Sequence, residues 1–285
     1  MRFTQGAPVD LDQSLLLALA ALLGSVLGSM LGLGGGIIII PLFTLWLGVD
    51  PKIAIGASAV SVVTNSVVGS RRHLLNGFVN FRLAMILQST TAAGAIIGAL
   101  IALAVNASIL EGLLGVVLLY AVVSMARSNK AAIPNAPENA PDPWGVMDTY
   151  DERGQEVRYV PQRINFGLGV SGLAGVLSGL LGIGGGLIQV PVMNLIMRIP
   201  LRAAAGTSSF MVCMTSVATA AVFFANGKID PTVTAPAMVG VLAGSSLGSW
   251  LTKRVKVSQL LAVLLSILAV LGVSMILSAF DINLW

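Results

Sequence analysis

The sequence predicts an all-α polytopic membrane protein built from two inverted homologous repeats of about five membrane segments each. Three observations predict it. The composition is 56% hydrophobic and only 10% charged, with a mean hydropathy of +0.91, so the surface has too few polar groups to face water. The chain also matches itself, without a gap, when displaced by 150 residues: Leu27 falls on Leu177, Gly32 on Gly182, Pro41 on Pro191, Gly56 on Gly206, Ser66 on Ser216 and Gly98 on Gly248. Finally, the basic residues cluster at the ends of apolar segments, where membrane insertion places them. That clustering also sets aside a nucleic-acid partner, which the sequence pI of about 9.6 would otherwise invite.

The elements follow in order. The first repeat, 1-127, carries apolar segments at about 15–33, 37–49, 53–75, 83–105 and 108–126. A connector, 128-163, follows. The second repeat, 164-285, repeats the series at about 165–183, 187–199, 203–225, 233–251 and 258–280. All but the second segment of each half reach the roughly 20 residues that a crossing helix needs. The start, "MRFTQGAPVDLDQS", has one arginine and two aspartates where a signal peptide has a basic tip, so the first helix is expected to be retained.

Charge decides how the short segments are read. If they cross, only Arg2, Lys52 and Lys228 of the 16 Lys and Arg residues lie outside, and the remainder share one face. If they dip in and return, the basic residues divide far more evenly. The five-plus-five arrangement is therefore expected, with both termini extracellular or periplasmic and the connector cytoplasmic in an inner (plasma) membrane. An odd number of crossings per repeat turns the second half upside down relative to the first, an architecture common among secondary transporters.

Each short segment follows a glycine-rich break, "GLGGGIIIIP" at Gly32 to Pro41 and "GIGGGLIQVP" at Gly182 to Pro191. Such breaks leave backbone N–H and C=O groups without helical partners, at a cost of several kcal/mol each in hydrocarbon. They survive where the freed groups are buried in protein or line a polar cavity, and helix N-termini aimed there favour an anion. Gly34, Gly35, Gly36, Gly184, Gly185 and Gly186 are thus candidate ligand positions. Close helix contact is the competing reading for glycine, and the simpler one for Gly24/Gly28/Gly32, Gly94/Gly98 and Gly240/Gly244/Gly248. A dinucleotide fingerprint is rejected, because its spacing fails at Ile37 and no ribose-binding acid accompanies it.

The connector holds Pro134, Pro137, Pro141 and Pro143 and then "DTYDERGQEVRYVP", whose central glycine between alternating residues predicts a small β-hairpin on a flexible tether. Cys213, the single cysteine, excludes an internal disulfide and reads as a buried thiol.

On these residues the chain resembles the sulfite exporter TauE/SafE-like membrane proteins over nearly its whole length. The likeness rests on the two breaks with their prolines, on "IGASAVSVVTNSVVGSRRHLLNGFVNF" and "AGTSSFMVCMTSVATAAVFFANGKID", and on the connector motif. It implies a secondary transporter of small anions, typically sulfite, sulfonates or sulfur-containing organic acids. In that family the third segment tends to carry a Thr/Ser pair near its start and a histidine before an Asn-Gly ending. This chain keeps Ser58 and His73 in one half and Thr207-Ser208 in the other, but Phe223 stands where a second histidine would be.

Polar positions within the spans complete the candidate set. Ser58 and Asn65 are seven residues apart, as are Ser208 and Thr215, so each pair shares a helix face; with Thr207 and Gln189 they are the candidate substrate ligands, and Gln88 and Asn194 are weaker ones. Arg71, Arg72 and His73 are candidates for gating or anion attraction, with topology anchoring as the alternative. No Asp or Glu falls mid-span, which argues against a carboxylate proton relay and for potential-assisted export by alternating access around a site between the repeats. Ion-coupled uptake stays open as the alternative, with an intramembrane hydrolase or a structural membrane protein behind it. No enzyme activity, cofactor or metal site is expected; the partners are the small anionic substrate and the lipid bilayer, with a homodimer left open.

Overall fold

A computed structural model describes residues 11–31, 34–128, 141–152, 155–251 and 257–280. The termini, whose faces were expected above, lie outside the described residues, as does the side chain of Arg72. The helices are α1 (Leu11–Leu31), α2 (Gly36–Pro41), α3 (Pro51–Leu75), α4 (Phe81–Ala104), α5 (Ala107–Ser128), α6 (Ile164–Leu181), α7 (Gly186–Pro191), α8 (Leu201–Ala225), α9 (Pro231–Leu251) and α10 (Val257–Ala279). Between α5 and α6, β1 (Asp148–Glu152) pairs antiparallel with β2 (Gln155–Tyr159).

The chain is an all-α polytopic membrane protein. Six of the described helices are long and apolar enough to cross a membrane, and large apolar side chains such as Leu23, Ile97, Val116 and Val270 are exposed on the outside of the bundle, where hydrocarbon would be their solvent. Cys213 is free and half-buried, more open than the sequence reading expected.

Helices of one half pack mainly on helices of the other. α1 runs parallel to α9: a methyl on Gly240 would meet the carbonyl of Ala18, one on Gly244 that of Leu22, and one on Gly248 that of Val26. α4 runs parallel to α6 in the same way, with Gly94 over Gly172 and Gly98 over Val176. Only a hydrogen fits between backbones at this separation, and Cα–H to carbonyl contacts become available. α3 and α8 run antiparallel at the centre, since Gly56 packs under the Lys228 carbonyl and Gly206 under that of Phe78.

The short segments have a physical reason for their shape. Pro41 and Pro191 lack the N–H that an α-turn needs, and each is followed by a five-residue π turn, Leu42–Trp46 and Val192–Ile196. A short helix and its π turn together rise about 15 Å, half of the hydrocarbon thickness. They fold back along the preceding helix. Gly28 touches Gly35 and Gly24 lies beside Ile39; likewise Gly167 lies against Met197, and the Gln162 N–H donates to the Met197 carbonyl at 2.9 Å. Each pair, α1–α2 and α6–α7, is thus a hairpin that enters and leaves at one end of the bundle. Charge had favoured two crossings here. A returning hairpin leaves the chain at the same end as two crossings would, so a count of loop charges cannot separate them.

The two hairpins enter from opposite ends. At the far end, Lys52 Nζ donates to the Leu103 carbonyl at 2.8 Å and Ser278 Oγ to Glu111 Oε2 at 2.9 Å. At the connector end, Asn80 ties three elements together: its side-chain oxygen accepts from Leu83 N–H and caps α4, its amide donates to the Val146 carbonyl at 2.7 Å, and its backbone N–H donates to Thr207 Oγ1 at 3.0 Å. The β-hairpin caps this end with Tyr150 and Tyr159 buried against Phe78, Leu83, Ile164 and Met197. Burial, the nearby Asp148 carboxyl and Tyr150 push the Tyr159 phenol well above its ordinary range, against an opposing hydrogen bond with Asn80. Burial likewise raises the Asp148 carboxyl, opposed by the Thr149 N–H.

Candidate functional site

The two glycine breaks meet at the centre of the bundle. Gly34 and Gly35 have φ of 79° and 77°, and Gly184 and Gly185 of 81° and 79°, left-handed values that residues with a Cβ adopt at a cost. The turn they make lets α2 and α7 start deep inside the protein, with Gly35 and Gly185 as their N-cap residues. The Gly35 carbonyl then accepts from Ile38 and Ile39, and the Gly185 carbonyl from Ile188 and Gln189. The first N–H groups of such a helix have no partner within it.

Both tips press on the same pair of side chains. A methyl on Gly34 would lie 2.8 Å from Val62 and 3.1 Å from Val212; one on Gly184 would lie 2.6 Å from Val212 and 2.9 Å from Val62. Val62 and Val212 are the corresponding residues of α3 and α8 under the 150-residue offset. Ser58 Oγ joins the halves directly, donating to the Gly182 carbonyl at 3.1 Å. Gly34 to Gly36 and Gly184 to Gly186 are all buried, so the tips are enclosed by protein.

The polar side chains around the tips are neutral, and they divide into engaged and unengaged ones. Ser25 Oγ, which the sequence reading did not single out, lies 3.0 Å from both Asn65 Oδ1 and the Val241 carbonyl; the serine one turn before Gly28 was the available signal. Thr215 Oγ1 donates to the Met211 carbonyl at 2.9 Å and accepts from Gln88 Nε2 at 3.3 Å. Gln189 Nε2 donates to Thr91 Oγ1 at 3.4 Å. Ser178, Ser208 and Ser216 are fully or almost fully buried, and their hydroxyls have no hydrogen-bond partner. Ser178 corresponds to Gly28 in the first half, so no repeated motif marked it.

Other candidates lie elsewhere. Thr207 is engaged with the Asn80 backbone at the connector end, and Asn194 Nδ2 closes the turn after α7 on the Ile199 carbonyl at 3.0 Å. Arg71 is exposed and His73 half-buried in the last turns of α3, about 10 Å along the helix beyond Ser66. His73 sits beside Phe78, ring centroids 6.3 Å apart. These residues are not among the contacts of the tips.

With this arrangement in view, the family model described as sulfite exporter TauE/SafE matches residues 16–275. The chain belongs to the TauE/SafE family. It is 24% identical over 269 residues to a probable membrane transporter protein, YunE, of Bacillus subtilis (strain 168), covering 92% of this chain and 96% of that one. It is 30% identical over 250 residues to a probable membrane transporter protein of Xylella fastidiosa (strain 9a5c), with 87% and 88% covered. A probable membrane transporter protein of Methanocaldococcus jannaschii is 25% identical over 287 residues, with 94% and 98% covered. No solved structure matches the chain significantly. This TauE/SafE protein is accordingly a membrane transporter and not an enzyme.

Proposed function

We propose that this TauE/SafE protein exports a small anion, sulfite, a sulfonate or a related sulfur-containing acid, by alternating access around a seat between two inverted repeats. The observation that carries the reading is the meeting of two positive-φ glycine tips on Val62 and Val212. Each tip begins a helix whose first N–H groups and dipole favour negative charge. Two such tips entering from opposite ends support the inverted arrangement, since rocking one half against the other opens the seat to one face at a time.

The neutral lining supports weak, reversible capture, because hydroxyls, amides and backbone N–H groups bind an oxyanion without the strong fork that arginine would supply. The connector end, which carries Arg71, Arg82, Arg158, Arg163, Arg198 and Arg202, is the cytoplasmic face in this reading. An anion leaving from that face gains about 2.3 kcal/mol per charge per 100 mV of inside-negative potential. The test is flux in proteoliposomes preloaded with sulfite or ethanesulfonate, with the potential set by a potassium gradient. Efflux that exceeds protein-free vesicles and rises with inside-negative potential is expected; efflux equal to that of protein-free vesicles would overturn the reading.

A further inference from the structure

A buried amide, Gln189, and a half-buried one, Gln88, have their orientation fixed by the threonines they touch. Thr91 Oγ1 donates its one proton to the Leu87 carbonyl at 2.8 Å, so toward Gln189 it can only accept. The Gln189 side chain must therefore present Nε2 to Thr91, and Oε1 is left over. Oε1 of Gln189 is buried, has no partner, and belongs to a side chain that is 2% exposed. Gln88 repeats the pattern: Thr215 Oγ1 spends its proton on the Met211 carbonyl, Gln88 Nε2 faces Thr215, and Gln88 Oε1 is buried without a partner. Gln88 and Thr91 are three residues apart on α4, hence neighbours on one face of it.

The Gln189 amide lies against the second tip. A methyl on Gly185 would be 3.7 Å from Gln189 Nε2 and 3.4 Å from Ser178 Cβ. The groups gathered at this tip therefore include donors, the opening N–H groups of α7 and the partnerless Ser178 hydroxyl, and an amide whose carbonyl oxygen is unfilled. A buried carbonyl without a donor is costly, and a ligand carrying a hydrogen in that place relieves it. The first tip offers no such acceptor, since Ile39 stands where Gln189 would be and Ser25 Oγ already lies 3.0 Å from Asn65 Oδ1.

We propose that Gln189 makes the second tip selective for an oxyanion that also carries an O–H or N–H group, over one that offers acceptors alone. This rests on the anion-seat reading above and narrows its substrate class. One neutral hydrogen bond gives a preference of about three- to ten-fold.

The test compares two stable probes, 2-hydroxyethanesulfonate and ethanesulfonate, by calorimetric binding to the purified full-length protein. The intact protein should bind the hydroxylated probe three- to ten-fold more tightly. Gln189→Leu should weaken 2-hydroxyethanesulfonate more than ethanesulfonate, so that the margin is lost whatever the change common to both probes; Thr91→Val, which frees the amide to turn, should shrink the margin and serves if the first variant does not fold. Equal affinity of the intact protein for the two probes overturns the inference and leaves the seat standing. So does a margin that persists in Gln189→Leu, or a sodium-dependent stabilisation that Gln189→Leu abolishes, since the orphan oxygens would then serve a cation. Binding of neither probe, with no flux, overturns the anion seat itself.

Discussion

Alanine at Gly184 and alanine at Gly185 should behave differently although the two residues are adjacent, share a φ near 80° and are both buried. Either substitution forces a Cβ into the left-handed region, at about 1–2 kcal/mol. At Gly185 nothing more is added: the new methyl meets Ser178, Ala174 and Gln189 at 3.4, 3.5 and 3.7 Å, ordinary contact distances. At Gly184 it would lie 2.6 Å from Val212, 2.9 Å from Val62 and 3.0 Å from Ser216 Oγ, and overpacking of that kind costs about a further 1–3 kcal/mol. Because Val62 and Val212 also hold Gly34, the first tip has to shift as well. Gly184→Ala should therefore lose about 2–5 kcal/mol and Gly185→Ala only about 1–2 kcal/mol. Equilibrium unfolding in detergent, followed by tryptophan fluorescence, reads the stability; sulfite efflux from proteoliposomes reads function. Gly185→Ala should remain folded and still transport slowly, because the first N–H groups of α7 are re-aimed. Equal stability of the two variants would refute the packing argument, and parental flux in Gly185→Ala would place the seat elsewhere.

Three further outcomes follow from the same contacts. Ser58→Ala removes the bond to the Gly182 carbonyl and should cost about 1 kcal/mol, whereas Ser208→Ala deletes a buried hydroxyl without a partner and should leave stability unchanged while lowering flux; paired unfolding and efflux measurements check both. Gly98→Ala drives a methyl into the Val176 carbonyl and should lose folded yield and activity together, seen as a smaller monodisperse peak on size-exclusion chromatography with unchanged flux per folded molecule. Asp148→Asn should stabilise the protein at neutral pH: the folded state raises this carboxyl, so it opposes folding once pH rises past the ordinary value of 3.8 and through the folded one. The difference between variant and parent should vanish as pH falls below 3.8, and a difference that grows on acidification would contradict the burial argument.

The glycine breaks were legible because three consecutive glycines before a proline, repeated at one offset, have few uses in hydrocarbon. The structure supplied the reason position by position, with φ deciding at Gly185 and space deciding at Gly184 and Gly36. The small-residue rows were legible as packing, but their partners were not: nothing in Gly94 and Gly98 says that they close on α6. The return of α2 along α1 was hidden because a short apolar segment has the same composition whether it crosses or folds back. Thr207 entered the candidate set with Ser208, as the Thr/Ser pair that the family resemblance implies near the start of the third segment; around the helix the two point in different directions, and Thr207 meets the loop at Asn80. Asn80 itself, which caps α4 and ties down Val146, was not singled out in the sequence. Its role depends on three segments that meet only in the folded chain.

The pairing of α1 with α9 has a consequence for how the protein is made. Ser25 and the Val241 carbonyl that it meets are 216 residues apart, while Thr90 and the Leu168 carbonyl, joining α4 to α6, are separated by 78. At ribosomal speeds of about 5–20 residues per second, α1 leaves the translation machinery roughly 10–40 s before its permanent neighbour exists. During that interval Ala18, Leu22 and Val26 must be covered by lipid, by an insertion factor or by a provisional helix. A chain stalled before α9 is inserted but unfinished, with its first helix still in want of a neighbour.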